Sequence, residues 1–346
     1  MRRHGARVRV MLPALAAVGV LAPAAAAVAA PDSSTPTFSE YSPLSTSAEI
    51  MRRLLSPLTA RAVRRSLERS GEHLREQSID LSAERFVLYV PPQEPPGGYA
   101  LLVFIPPWDE AQLPHGWDTV LDRHGAIFVS PAHSANTADP VGRREPLALL
   151  AAYNVIRRYR VDPLRVYVGG FSGGSHIALR LALGYPDLFR GALLNAGSDP
   201  LDAGPPSPPE RALLERFQES TRIVFVTGEH DLPRLAMDRA SLESMSEWCA
   251  FDTAAEITPG AGHELAGPAA LSRALGALAA HVRPEPAKLN ACRRVLDKRL
   301  AARLARIRSL IDGGRNGEAR KLLEETDRQF GGLAVPESLE LAAALD

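Results

Sequence analysis

Between residues 84 and 283, short continuously apolar runs alternate with segments of helical spacing, and this alternation restricts the fold more than any other property of the chain. The runs at 86–90, 100–105, 126–130, 165–168, 191–194, 223–226 and 254–258 are four to six residues long, too short for helices. Helical patterns follow at 146–159, 175–183, 236–248 and 268–281. Strands that are apolar on both sides must be covered on both sides. The pattern therefore predicts an α/β fold with a mostly parallel central sheet and helices on both faces. In such sheets ligands meet the carboxyl ends of the strands, so functional residues are expected just after strands.

The flanks carry other signals. Arg2, Arg3, Arg7 and Arg9 precede a charge-free stretch from Val10 to Ala30, and Ala27-Val28-Ala29 is a small-x-small cleavage site. Residues 1–29 are accordingly expected to be a signal peptide, giving a secreted or periplasmic protein with no stable membrane insertion after cleavage. Residues 30–83 are expected to hold a Ser/Thr/Pro-rich tether followed by a helix over 46–74, broken near Pro57. Beyond Pro284 and Pro286, Leu296, Leu300, Leu304, Ile307 and Ile311 repeat at helical spacing up to Gly313-Gly314. A second helix carries Ala319, Leu322, Leu323 and Phe330. Residues 284–346 are expected to form a tetratricopeptide-like helical hairpin, an accessory docked on the main domain and a candidate surface for a protein partner.

Forty basic and forty acidic residues cancel, so there is no electrostatic case for a nucleic-acid partner. The two cysteines, Cys249 and Cys292, fall in no metal-spaced cluster; in an oxidising compartment they are expected to pair. No metal and no organic cofactor is expected.

Residues 165–183 run strand, then Gly170-Phe171-Ser172-Gly173-Gly174, then amphipathic helix. A chain that reverses this sharply leaves no room for side chains two residues before and after the serine. The helix that follows directs its positive end at any negative charge developing there. This segment resembles the nucleophile elbow of the α/β-hydrolase family, and within it is most similar to secreted poly(3-hydroxybutyrate) depolymerase-like and feruloyl-esterase-like serine esterases. The likeness covers about residues 84–283.

The resemblance implies a Ser-acid-His order. Ser172 is then the nucleophile. Asp231, after the strand at 223–226, is the expected acid, with Glu229 and Asp199 as rivals. His263, after the last strand, is the expected base; His281, His176, His230, His115 and His133 are less well placed. Gly173 would supply one oxyanion N–H. The loop after the second strand reads Pro106-Pro107-Trp108, so Trp108 is its first residue able to supply another. Trp108, Trp117, Phe171 and His133 are the expected substrate contacts. The expected reaction is hydrolysis of a carboxylic ester, including bulky or polymer-linked esters. Two alternatives stay open: a serine peptidase, and a non-catalytic binding protein that uses the C-terminal hairpin.

Overall fold

Side chains on successive strand positions divide between two apolar layers, and the division orders the whole molecule. The computed structural model describes residues 33–201 and 206–346; the expected signal peptide lies outside them. The strands are β1 Phe86–Tyr89, β2 Tyr99–Ile105, β3 Ala126–Pro131, β4 Val161–Phe171, β5 Gly191–Asn195, β6 Arg222–Gly228 and β7 Thr253–Thr258. They form one sheet in the order β1-β3-β2-β4-β5-β6-β7. Only the β1–β3 pairing is antiparallel.

The helices before and within the sheet are α1 Ser47–Leu54, α2 Pro57–Ser70, α3 Trp117–His124, α4 Glu145–Arg158, α5 Gly173–Gly184, α6 Arg211–Ser220, α7 Leu232–Glu247 and α8 Pro268–Ala279. On one face Leu101, Val103, Ile105, Val166, Val168 and Phe225 pack with α4 and α5. On the other, Leu102, Phe104, Phe128, Leu193 and Val224 pack with α3 and α8. This two-residue alternation, with both faces covered, is why the strands read as continuous apolar runs. Together with the turn at Ser172, it is the α/β-hydrolase fold.

Three expectations need correction. First, the stretch after residue 32 is no free tether. Ser34 bridges to Leu88, Phe38 is buried against the Phe86 ring at 4.7 Å, and the Asn154 side chain bonds both the N–H and the C=O of Glu40. Second, Trp117 is a core residue, not a substrate contact. Its ring is 1% exposed and lies edge-on to both Phe104 and Phe128.

Third, the C-terminal part is not a two-helix hairpin but three helices, α9 Pro286–Asp312, α10 Asn316–Phe330 and α11 Glu337–Ala344. Leu296, Leu300, Leu304 and Ile307 join the same apolar layer as α4 and α5. Asp327 of α10 caps α2 through Ser56 Oγ (2.5 Å) and the Leu58 N–H (3.1 Å). An unpaired apolar stripe on α9 would be costly in water, and docking on the main core removes that cost.

Cys249 and Cys292 are bonded, with S–S 2.01 Å and Cα–Cα 5.8 Å. The bond ties α9 to the end of α7. Closing a loop across a sequence separation of 43 residues restricts the unfolded chain by about 4 kcal/mol. Reduction is therefore expected to lower the melting temperature by roughly 6 °C. Paired thermal melts with and without reductant check this; a Cys292→Ser variant that melts like the wild type would contradict it.

Candidate active site

Every residue of the site stands at or just beyond the carboxyl end of a strand. β4 ends at Phe171, and α5 begins at Gly173. Ser172, between them, has φ 52° and ψ −119°. That conformation costs a non-glycine residue about 1–3 kcal/mol and persists only when its surroundings enforce it. The enforcing contacts are visible. The Ser172 N–H donates to Asn195 O at 2.8 Å. A Cβ on Gly170 would fall 2.3 Å from the Gly174 carbonyl carbon, and one on Gly174 would fall 1.9 Å from Ile105 O. The two glycines thus let strand, helix and the neighbouring β2 end approach closely enough to lift the serine out of the sheet.

His263 Nε2 lies 3.1 Å from Ser172 Oγ, and His263 Nδ1 lies 2.6 Å from Asp231 Oδ2. A carboxylate accepts only, so Nδ1 carries the proton and Nε2 is left to accept from the serine hydroxyl. Asp231 is 7% exposed. It occupies the N-cap position of α7 without making a side-chain cap; its carboxylate is turned to the imidazole instead. The rival acids are committed elsewhere. Asp199 binds His176 Nδ1 at 2.5 Å, and Glu229 accepts from the Gly260 N–H at 2.9 Å, bracing the turn that precedes His263. Among the other histidines, His281 binds Asp252 and His133 binds Asp109. Among the described residues only His263 joins an aspartate on one nitrogen to a serine hydroxyl on the other.

The Gly173 N–H opens α5 and so has no acceptor within the helix. The Trp108 N–H has no hydrogen-bond partner among the described residues. The Trp108 ring stands 6.1 Å from the Phe171 ring, which stands 5.1 Å from the His263 ring, so an aromatic row leads to the Ser172–His263 pair. The Trp108 indole N–H is buried and unpaired. His133, at φ 53°, is tied to its own surroundings: its N–H donates to Asp109 O at 2.6 Å, and its Nε2 is 3.1 Å from Arg85.

Several residues escaped sequence reasoning. Asn195, the last residue of β5, accepts from the Ala266 N–H through Oδ1 (2.7 Å) and donates to Val226 O through Nδ2 (2.8 Å). The Trp117 indole N–H donates to Ala266 O at 2.9 Å. The two side chains hold both sides of Ala266, three residues after His263. Asn136 follows β3; a Cβ on Gly173 would fall 2.0 Å from its Oδ1, so its carboxamide lies over the Gly173 Cα. Asp238 of α7 accepts from Thr227 Oγ1 (2.6 Å) and Ser198 Oγ (2.8 Å), which links the ends of β5 and β6. Burial pushes the Asp238 carboxyl up from its ordinary range, and the two hydroxyls oppose that shift.

Asn195→Ala leaves the Ala266 N–H unpaired and frees the His263 loop. The expected result is a fall of about tenfold to a hundredfold in kcat, the size that a displacement near 1 Å produces. Steady-state kinetics beside the wild type checks it, and an unchanged kcat would contradict it.

No family model matches the chain. Over 100 residues it is 31% identical to the poly(3-hydroxybutyrate) depolymerase of Ralstonia pickettii, a match covering 24% of this chain and 20% of that protein. The chain thus matches about a fifth of the length of that curated relative. Among solved structures, it is similar to a poly(3-hydroxybutyrate) depolymerase from Bordetella parapertussis, at 19% identity and TM-score 0.43, covering 60% of this chain and 88% of the other. It is also similar to a feruloyl esterase module from Clostridium thermocellum, at 14% identity and TM-score 0.43, covering 58% and 85%.

Proposed function

We propose that this chain is an exported serine hydrolase of carboxylic esters, acting through an acyl-enzyme on Ser172. The observation that carries this reading is the unbroken run from Ser172 Oγ to His263 Nε2 and from Nδ1 to a buried Asp231, on an elbow whose backbone is held at φ 52°. In the first half-reaction Oγ bonds to the ester carbonyl carbon while its proton passes to Nε2. The carbonyl oxygen becomes an oxyanion that meets the Gly173 and Trp108 N–H groups. The tetrahedral adduct collapses, the C–O bond to the alcohol breaks, and the alcohol leaves with the proton from Nε2. Water then repeats the sequence against the acyl group and releases the acid. Asp231 holds the imidazole tautomer and offsets the charge on the imidazolium.

The substrate is an ester on a bulky or polymeric body. The His263 side chain is 41% exposed, so a carbonyl fixed to a large body reaches it without entering a deep tunnel. The Trp108 and Phe171 rings, tilted at 46° to each other, offer apolar contact area for the acyl side. The stretch shared with the Ralstonia pickettii depolymerase makes a polyester the first polymer to test. Export agrees with the Cys249–Cys292 bond, which persists in oxidising compartments.

The test sets p-nitrophenyl acetate and butyrate beside a poly(3-hydroxybutyrate) suspension and a feruloylated polysaccharide. Turnover of the soluble esters together with release of acid from at least one polymer is expected. Activity confined to the soluble esters would overturn the polymer assignment and leave the esterase.

A further inference from the structure

Arg144 precedes α4, is 3% exposed, and has no carboxylate within ion-pairing distance among the described residues. Its neighbour Glu145, fully buried, is taken by Arg180. Glu145 attracts the Arg144 charge only from a distance, so a guanidinium buried without an ion pair remains expensive, and the groups it does contact are unusual. Nη1 donates to Gly173 O at 3.3 Å and Nη2 to Pro106 O at 3.1 Å. Gly173 carries the first oxyanion N–H. Pro106 begins the loop whose first available N–H is that of Trp108. The fork therefore spans the two chain segments that must hold their donors a fixed distance apart.

The Pro106-Pro107 pair explains why a side chain is needed there. Neither proline has an N–H, so the start of this loop has no backbone donor to fix it to the elbow and offers only carbonyls. A planar guanidinium with two donors at set spacing can clamp two carbonyls at once; an ammonium is a single point on a flexible stem. Burial pulls the Arg144 pKa down to about 10, which leaves it cationic at neutral pH behind the site of the developing oxyanion.

We propose that Arg144 is a positioning residue: it sets the separation of the Gly173 and Trp108 N–H groups and places a buried positive charge behind the oxyanion. This rests on the reading of Ser172 as the nucleophile. Its contribution is made in the transition state, where the oxyanion exists, more than in the bound ester.

The experiment compares wild type, Arg144→Met, Arg144→Lys and Ser172→Ala for p-nitrophenyl butyrate kinetics, inhibition by a trifluoromethyl ketone and thermal melting. Arg144→Met is expected to lower kcat about a hundredfold with KM changed less than threefold, and to weaken the ketone by a similar factor. Arg144→Lys keeps the charge and loses the fork, and is expected to recover no more than a tenth of the lost rate while melting like the wild type. If Arg144→Met does not fold, the lysine variant alone decides. Full activity in Arg144→Lys, or loss of kcat with no loss of ketone affinity, overturns the proposal and leaves the esterase reading standing. A wild type that neither hydrolyses the ester nor binds the ketone, and is equal to Ser172→Ala in both, overturns both.

Discussion

Ser172→Ala is expected to lower the kcat for ester hydrolysis by about 10⁵ to 10⁶, the largest effect of any single change in this molecule. Alanine deletes the only atom that bonds to the substrate carbonyl carbon and leaves the rest of the elbow in place. The strain at φ 52° belongs to the backbone, and alanine has the same Cβ as serine. The contacts that enforce it, the Asn195 carbonyl and the two flanking glycines, do not involve Oγ. The variant should therefore melt within a degree or two of the wild type and still bind ester. Some acceleration over water, about 10³ to 10⁴, survives from the oxyanion donors and binding alone. Kinetics and a thermal melt on the same preparation check both halves. A variant retaining more than a hundredth of the activity would show that another group attacks.

Asp231→Asn is the second large effect, a fall of about 10⁴ in kcat. The amide is nearly isosteric with the carboxylate, so geometry is kept and chemistry is not. An asparagine that donates its N–H to His263 Nδ1 fixes the opposite tautomer, with the proton on Nε2 facing Ser172. Nε2 then has no lone pair for the serine proton. The contrast with Asp199→Asn gives the prediction its discrimination. Asp199 also follows a strand and also pairs with a histidine, at 2.5 Å, but that histidine is His176. Asp199→Asn is expected to change kcat less than threefold. A reversal of the two effects would move the acid to the end of β5.

The outcome for individual residues separates what local sequence encodes from what it does not. The central strands were legible because burial on both faces forces every position to be apolar, and no partner need be known to see it. The elbow was legible because its glycines answer a local steric demand, the 2.3 Å and 1.9 Å approaches at Gly170 and Gly174. Helix α3 was missed: eight residues between two glycines give barely two turns of pattern. Trp117 was misread for a related reason. A tryptophan after a loop carries no mark of which way it faces, and its partners, Phe104, Phe128 and Ala266, come from three other segments.

Asn136, Arg144 and Asn195 show the same limit within the site. Each is a polar residue whose importance comes from a carbonyl, a backbone N–H or a glycine distant in the chain. Arg144 reaches Gly173 and Pro106 across 29 and 38 residues. Charge patterning alone would place it on a solvated helix end, beside Arg143. The C-terminal segment shows the complement: the spacing of α9 and α10 was plain, but the eight residues of α11 give too little pattern to show a third helix.

The central claim is that Ser172 is a nucleophile activated by His263. Its most direct test is covalent. The chain is incubated with a fluorophosphonate, digested, and mapped by mass spectrometry. The account predicts one phosphonylated peptide, carrying the adduct on Ser172, with labelling slowed at least a thousandfold in His263→Gln and absent in Ser172→Ala. A folded wild type that leaves Ser172 unlabelled, or is labelled at the same rate without His263, would contradict it, and the reading of this fold as a binding protein would take its place.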